Sequence, residues 1–329
     1  MSGELPRRIM SGMRPTGRLH LGNLLGALSN WVALQEEYEC YYSVVDWHAL
    51  TTDYQDTADL QENIRAMVID WLSAGLDPNK SVIFVQSSVV EHAELHLLLS
   101  MITPVSWLER VPTYKDQQIQ LADKDLSTYG FLGYPLLQTA DILAYRAGYV
   151  PVGEDQLPHL ELAREIVRRF NYIYGTKLPE PQPLLNKYRL LPGVDGRKMS
   201  KSYGNAISLA ADEAEVMAKV SQMVTDPARI HKTDPGHPDI CVVAKFQQVF
   251  AEQGYEALRE ECQGGRIGCV ACKRMLMSAI NDYLAPIRER RARLLADPDL
   301  VDAVLSDGAV RARRAAGETL AEIRRAMNL

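Results

Sequence analysis

Three groups of residues in this 329-residue chain have types and spacings that could do chemistry. The first is residues 13–23, Met-Arg-Pro-Thr-Gly-Arg-Leu-His-Leu-Gly-Asn, which follow a strand-like run and open a helical one. A helix N-terminus offers unpaired N–H groups and a positive dipole end to an anion. His20 and Asn23 can donate hydrogen bonds to phosphoryl and ribose oxygens. Gly22 has no side chain, so an aromatic ring could lie against its backbone. Alone, such a turn is a weak nucleotide signal. The second group is Lys198, Met199, Ser200, Lys201 and Ser202, roughly 175 residues downstream. Two lysines with interleaved hydroxyls suit a pyrophosphate leaving group whose charge grows in the transition state, although a solvated lysine pair is the ordinary reading. The third is Cys241, Cys262, Cys269 and Cys272, spaced C-x20-C-x6-C-x2-C. In a reducing compartment such crowding favours metal over disulfides. Four thiolates could bind tetrahedral zinc or a [4Fe–4S] cluster, and spacing does not choose between them.

The elements that must position these residues alternate. Residues 8–11 (RIMS), 41–45 (YYSVV) and 82–86 (VIFVQ) read as buried strands. Between them Leu24, Leu25, Leu28, Trp31 and Val32, then Leu60, Ile64, Met67, Val68, Trp71 and Leu72, recur at helical spacing. The pattern predicts an α/β fold: a doubly wound, parallel-sheet, Rossmann-like catalytic domain with ligands at the carboxyl ends of its strands. A helix over 136–145, a strand over 149–152 and a helix over 156–170 follow. A proline-rich loop at 178–185 then leads to LPGVDGRKMSKSYGN, whose glycines and charges predict a mobile surface loop. Beyond residue 208 helical patterns dominate, predicting an all-helical C-terminal domain. The expected division is 1–207, 208–294 carrying the cysteines, and 295–329 packing back on the first.

Hydrophobic residues at 47% and charged residues at 24% are ordinary for a globular chain. No apolar run approaches a membrane span and the N-terminus lacks a secretory pattern, so a soluble cytoplasmic protein is expected, without membrane or DNA partners. A net charge of −6 argues against unspecific coating of nucleic acid. Arg288, Arg290, Arg291 and Arg293, and Arg311, Arg313, Arg314, Arg324 and Arg325, read singly as solvated helix faces and together as possible phosphate contacts. Cys40, alone in an apolar run, reads as a small core residue.

Taken together, His20-Leu21-Gly22-Asn23 and Lys198-Met199-Ser200-Lys201-Ser202 resemble the HIGH and KMSKS signatures of class I aminoacyl-tRNA synthetases. Residues 134–143 (YPLLQTADIL), 150–156 (VPVGEDQ) and 45–51 (VDWHALT) are similar to stretches of bacterial tryptophanyl-tRNA synthetases, and the resemblance spans essentially the whole chain. Tyrosyl-tRNA synthetases share the fold but typically carry a glycine pair where this chain has Gly153-Glu154. A non-catalytic RNA-binding or iron–sulfur sensor protein is the other alternative, disfavoured because His20, Lys198, Lys201 and Asp141 are all present.

The resemblance implies residue roles. Catalysis falls to His20, Asn23, Lys198 and Lys201. ATP, with Mg2+, would meet Arg14, Pro15, Thr16, Gly22, Asn23, Gly153, Glu154, Asp155, Leu190 and residues 198–202. Tryptophan would meet Asp141, Met10, His48, Tyr134, Gln138, Val150, Val152 and Gln156. Arg14 and Gln138 depart from the residues of many relatives, Gln and Met. Indole has one donor and no acceptor, so Asp141 among apolar walls is a fitting partner. A carboxylate left unpaired would reject phenylalanine, and such sites discriminate by roughly 10⁴–10⁵ without editing. The implied partners are tRNA(Trp) and a second copy of the chain, with residues 107 to 114 as a possible dimer contact. A subset of the family carries a similar cysteine quartet and binds [4Fe–4S] near the anticodon; zinc is the alternative, and the first gap is two residues shorter here.

Overall fold

The computed structural model describes residues 5–112, 114–116, 124–185 and 191–329. Leu190, expected beside adenine, lies outside the described residues. Five strands, β1 (Arg8–Met13), β2 (Glu39–Val44), β3 (Ser81–Val85), β4 (Tyr149–Val152) and β5 (Gln182–Leu185), form one sheet in the order β3-β2-β1-β4-β5. Every pairing is parallel. The chain winds outward from β1 to β3, then returns past β1 to β4 and β5. The reversal lies between β1 and β4, where parallel sheets open a crevice at their carboxyl ends.

Burial follows the pleat. Ile9, Cys40, Tyr42 and Ile83 enter one hydrophobic core, whereas Met10, Tyr41, Val82 and Phe84 enter the other. Strands covered on both faces read as continuous apolar runs, which is why four of the five are plain in the sequence. Strand β5 is the exception. It was expected to be loop because Pro181 and Pro183 punctuate it, yet Pro183 pairs in register with Val150. Its position at the sheet edge leaves one side without a ladder, where the missing N–H costs nothing.

The helix after β1 is not uniform. Leu21–Asn23 leads into a π-helical turn at Leu24–Leu28 before the helix resumes over Ser29–Leu34. Such widened turns cluster at functional sites. Leu60–Ala74 ends on Gly75 at φ 116°, a left-handed cap suited to glycine.

Past residue 208 the described chain is helical, ending in Cys269–Ala296 and Pro298–Met327. The last helix lies against β3 so closely that a Cβ on Gly308 would stand 1.8 Å from the Ile83 carbonyl oxygen. The arginine clusters, expected as solvated faces or phosphate contacts, largely dock these helices onto the helices and loops around the sheet. Arg288 donates to Ala211 O at 2.7 Å, Arg290 to Ser73 O at 2.5 Å, and Arg291 pairs with buried Asp70. Arg311 reaches Pro78 O, Arg313 reaches Ser88 O, and Arg324 pairs with Glu94. Arg293 has the expected surface character, pairing with Glu289 one turn back, and Arg314 and Arg325 are likewise exposed. Among the described residues no helix is long and apolar enough to cross a membrane.

Candidate active site

A pocket opens at the switch point between β1 and β4, and all eight residues expected to meet tryptophan line it. Met10 comes from β1 and Val150 and Val152 from β4, supplying apolar walls that are each under a tenth exposed. Tyr134, Gln138 and Asp141 project from one face of the Tyr129–Ala144 helix, as positions three and four apart must. Ala27, just inside the π-helical turn, and Trp31, just beyond it, close another side.

Asp141 is 3% exposed and heavily bonded. Gln86 Nε2 lies 2.8 Å from both carboxylate oxygens, His48 Nε2 lies 3.0 Å from Oδ2, and His92 Nδ1 lies 2.6 Å from Oδ1. Burial opposes ionisation, but the hydrogen bonds from His48 and His92 outweigh it and hold the carboxyl well below its usual range. His92 Nε2 in turn meets Tyr145 Oη at 2.6 Å. The arrangement assigns the tautomer: Tyr145 donates to Nε2 and Nδ1–H donates to Asp141. The carboxylate is therefore not left bare by an empty ring site, which corrects the expectation that phenylalanine would be rejected through an unpaired buried charge.

A second chain of bonds crosses the pocket mouth. Tyr134 Oη meets His159 Nε2 at 3.0 Å, His159 Nδ1 meets Gln156 Oε1 at 2.9 Å, and Gln156 Nε2 donates to Asp155 Oδ2 at 2.8 Å. Burial holds His159 down at about 4, so its ring is neutral near pH 7, donating from Nδ1 and accepting the Tyr134 hydroxyl. Glu154 and Asp155 are exposed on the short turn Glu154–Gln156 after β4. Gly153 lets that turn close, because a Cβ there would stand 2.6 Å from Asp155 Oδ1. Arg14 leaves the end of β1 to pair with Asp53 at 2.9 Å, beside Thr52 and the Ala49 carbonyl.

The two distant signature segments meet. His20 caps its helix reciprocally, with Asn23 N–H donating to its Nδ1 at 3.2 Å and its own N–H donating to Asn23 Oδ1 at 3.1 Å. Burial, helped by the Lys201 charge, lowers His20 to about 4. The cap uses the acceptor atoms, so His20 Nε2–H and the Asn23 side-chain Nδ2–H remain as donors. Gly22 N–H points at Met199 Sδ, 3.3 Å away, and Lys201 Nζ bonds the Thr16 carbonyl. Pro15 is buried under this turn, whereas Lys198 and Ser202 are exposed and Ser200 Oγ lies 2.9 Å from Ser202 Oγ. Asn205 pins the loop by accepting Ser200 N–H at 2.8 Å.

The family described as tRNA synthetases class I (W and Y) matches residues 2–285. The tryptophan–tRNA ligase of Thermotoga maritima is 55% identical over 325 residues, covering 98% of this chain and 99% of that protein. The chain belongs to the tryptophanyl-tRNA synthetase family. The Aquifex aeolicus member is 44% identical across 98% of this chain and 100% of its own length. A tryptophanyl-tRNA synthetase from Campylobacter jejuni, solved with ADP and tryptophan, superposes with a TM-score of 0.88 at 34% identity over 98% of this chain and 100% of that one. A tyrosyl-tRNA synthetase from Archaeoglobus fulgidus shares the fold, with a TM-score of 0.68 at 21% identity over 88% of this chain and 91% of that one.

In this family member the four helical-domain cysteines are free thiols that line one cavity, together with Asp226, Arg229, Gln247 and Tyr255. Arg229 Nη1 and Gln247 Nε2 each lie 3.9 Å from a cysteine sulfur, Cys262 and Cys272 respectively. Burial, and then the neighbouring thiols, pushes Cys272 up to about 11. Among the described residues no three His, Cys, Asp or Glu side chains converge as a site for a single metal ion would require. Cys40 is buried in the sheet, as expected.

Sequence reasoning missed Gln86, His92 and His159. Gln86 looks like the last residue of a strand. His159 sits on an amphipathic helix and His92 on a leucine-rich one that also carries His96, and in both a histidine has the pattern of any core position. The one available signal is that His92 falls on the same helical face as Leu95 and Leu99.

Proposed function

We propose that the pocket floored by Asp141 seats the tryptophan side chain, and that ATP lies across the turn at residues 20–23 with its phosphates toward residues 198–202. The chain is an ATP-dependent tryptophan–tRNA ligase: it joins tryptophan to the AMP moiety of ATP, releasing pyrophosphate, and passes the aminoacyl group to tRNA(Trp). The observation that carries the seating is the ionised, donor-lined Asp141 carboxylate at the end of an apolar slot. Indole N–H is a donor without an acceptor of its own, and a carboxylate is its strongest neutral-pH partner.

Tyr134, Gln138 and Gln156 would hold the ammonium and carboxylate of tryptophan, with His159 fixing the first and last. A carboxylate oxygen of tryptophan attacks the α-phosphorus, the bond to the bridging oxygen of the β-phosphate breaks, and pyrophosphate leaves. Lys198 and Lys201 would take up the charge that grows on the leaving group, alongside Mg2+. His20 Nε2–H and the Asn23 amide would donate to phosphoryl oxygens; Thr16, Gly153, Glu154 and Asp155 would face the nucleoside. No side chain need become covalent, because position and charge supply the catalysis. A ribose hydroxyl of the terminal tRNA adenosine then attacks the adenylate carbonyl, releasing AMP.

We further propose a [4Fe–4S] cluster held by Cys241, Cys262, Cys269 and Cys272, in preference to zinc. All four thiols face one cavity, and Arg229 and Gln247 direct N–H groups at two of the sulfurs, the donors that thiolate clusters use. The cluster would cross-link the helical segment. The segment divisions 1–207, 208–294 and 295–329, a cytoplasmic location and a homodimer belong to the same proposal. Trp107 packs under Arg169 and Tyr114 stacks on Phe131, so the outward surface for a second copy is the neighbouring Leu97, Met101 and Val105, each more than half exposed.

Amino-acid-dependent ATP–pyrophosphate exchange tests the central proposal. Stimulation by tryptophan, lost in Asp141→Ala, supports it; stimulation by tyrosine instead, or exchange indifferent to residue 141, overturns it. Iron, sulfide and zinc analysis of anaerobically purified protein decides the cluster, and stoichiometric zinc in colourless protein removes it.

A further inference from the structure

One buried carboxylate takes no part in the chemistry above. Asp70, in the Leu60–Ala74 helix, is 1% exposed. Its Oδ2 accepts the Leu19 N–H at 2.7 Å, and its Oδ1 meets Arg291 Nη1, whose side chain is 11% exposed. Leu19 directly precedes His20. Its carbonyl accepts the Leu209 N–H at 3.0 Å, and Leu21 N–H donates to Ile207 O at 2.9 Å. The turn is thus clamped by backbone on one side and by a single side-chain acceptor on the other.

Arg291 comes from the Cys269–Ala296 helix, 28 residues or about 42 Å long, whose first turn carries Cys269 and Cys272. Near its other end Arg288 grips Ala211 O, Arg290 grips Ser73 O, and Arg291 completes the row on Asp70. A lone buried carboxylate is costly and would take a proton, weakening its hold on Leu19 N–H. Burial does push Asp70 upward, and the charges of Arg291, Arg18 and Lys201 oppose it. Three anchors in one row, with a charged one at the ATP turn, exceed what packing a helix requires.

We propose that Asp70 and Arg291 are positioning residues for the first half-reaction, their ion pair fixing Leu19 N–H and so the angle at which residues 20–23 face ATP. This rests on the proposed seating of ATP at that turn. The helical half of the molecule thereby sets ATP affinity from a distance.

Tryptophan-dependent pyrophosphate exchange is measured for Arg291→Met, for Arg291→Met combined with Asp70→Asn, and for His20→Ala. Arg291→Met raises KM for ATP roughly tenfold and leaves KM for tryptophan within about twofold, the pattern of one lost charge-assisted hydrogen bond confined to the nucleotide side. The double variant recovers most of the loss, because Asn keeps an oxygen for Leu19 N–H without a buried charge. A lowered melting temperature with both KM values unchanged overturns the inference and leaves the pair merely structural. Should Arg291→Met not fold, Arg291→Lys, which keeps the charge but not the forked reach, decides by the same ATP readout. Unaltered kinetics in His20→Ala refute the seating of ATP itself; impaired His20→Ala beside unaltered Arg291→Met refutes only the coupling.

Discussion

Replacing Asp141 with Asn removes one charge and one acceptor atom from a site built wholly of donors. Gln86 Nε2 stands 2.8 Å from each oxygen, His48 Nε2 3.0 Å from one and His92 Nδ1 2.6 Å from the other. Whichever way the new amide turns, its NH2 faces the Gln86 amide and one imidazole. A hydrogen bond to a charged group contributes about 1.5–3 kcal/mol, and a buried polar atom left unsatisfied costs about 1–3 kcal/mol. The sum for a rigid site is about 3–5 kcal/mol of stability. Relief comes on the His92 side. That ring can exchange tautomers if the Tyr145 hydroxyl, 2.6 Å from Nε2, rotates to accept instead of donate. The expected loss therefore falls to about 2–3 kcal/mol, leaving a folded protein.

Activity should fall independently of that loss. Indole N–H would exchange a carboxylate for a neutral amide oxygen or an NH2 group, so kcat/KM for tryptophan drops about 10- to 150-fold in pyrophosphate exchange. Urea unfolding of the same protein measures stability. Because Asp141 is depressed in the folded state, its contribution is complete above the ordinary carboxylate range and is lost as pH falls through the lower folded value. Asp141→Asn should flatten that acid limb. Loss of stability with kcat/KM for tryptophan within about twofold of the parent would refute the assignment, making Asp141 a scaffold residue and placing the indole acceptor elsewhere.

Gly22→Ala brings a Cβ within 3.0 Å of His20 Nδ1 and 3.4 Å of Met199 Sδ, so the capping pair and the lysine loop must both shift. KM for ATP should rise about tenfold or more with little change in melting temperature, and an unchanged KM argues against nucleotide at this turn. His159 is held at about 4 against a usual 6.5, so its contribution is complete above 6.5 and lost as pH falls toward 4. Wild-type stability should decline by up to about 3 kcal/mol across that window, and urea titrations of His159→Gln should show a shallower decline. Gly308→Ala places a Cβ 1.8 Å from Ile83 O and should cost at least about 2 kcal/mol in urea midpoint measurements. Parental stability would mean the last helix does not lie on β3 in solution.

What the sequence displays depends on how local the physics is. Strands β1 to β3 and β4 are legible because burial on both faces makes each an apolar run. The pairing of Asp141 with Ala140, Ile142 and Leu143 announces a buried carboxylate, and the pocket holds it. Strand β5 is illegible because prolines carry the same signal in a loop and at a sheet edge. The arginines fail for another reason. Their types are visible, but Arg291 finds Asp70 across 221 residues and Arg324 finds Glu94 across 230, distances over which periodicity says nothing. Gln86 and His92 were hidden likewise, since a residue that orients another has no pattern of its own.

Those hidden donors change the account of selectivity. If Asp141 stood bare, a ring without N–H would strand a buried charge and be refused by orders of magnitude. In the structure Gln86 spans both oxygens with one nitrogen, and His48 and His92 occupy the rest. Seated as proposed, tryptophan would gain its bond only if Gln86 withdrew to a single oxygen, so the net gain over phenylalanine would be one charge-assisted hydrogen bond less part of another. That is at most about 1.5–3 kcal/mol, a factor of about 10–150. The remaining discrimination must come from the walls. Met10, Val150 and Val152 are nearly fully buried, so the slot has a fixed width. A smaller ring leaves apolar surface there without partner atoms. With indole seated as proposed, selection would be shared between a modest polar term and the volume that indole fills, and enlarging the slot should erode it as surely as neutralising Asp141.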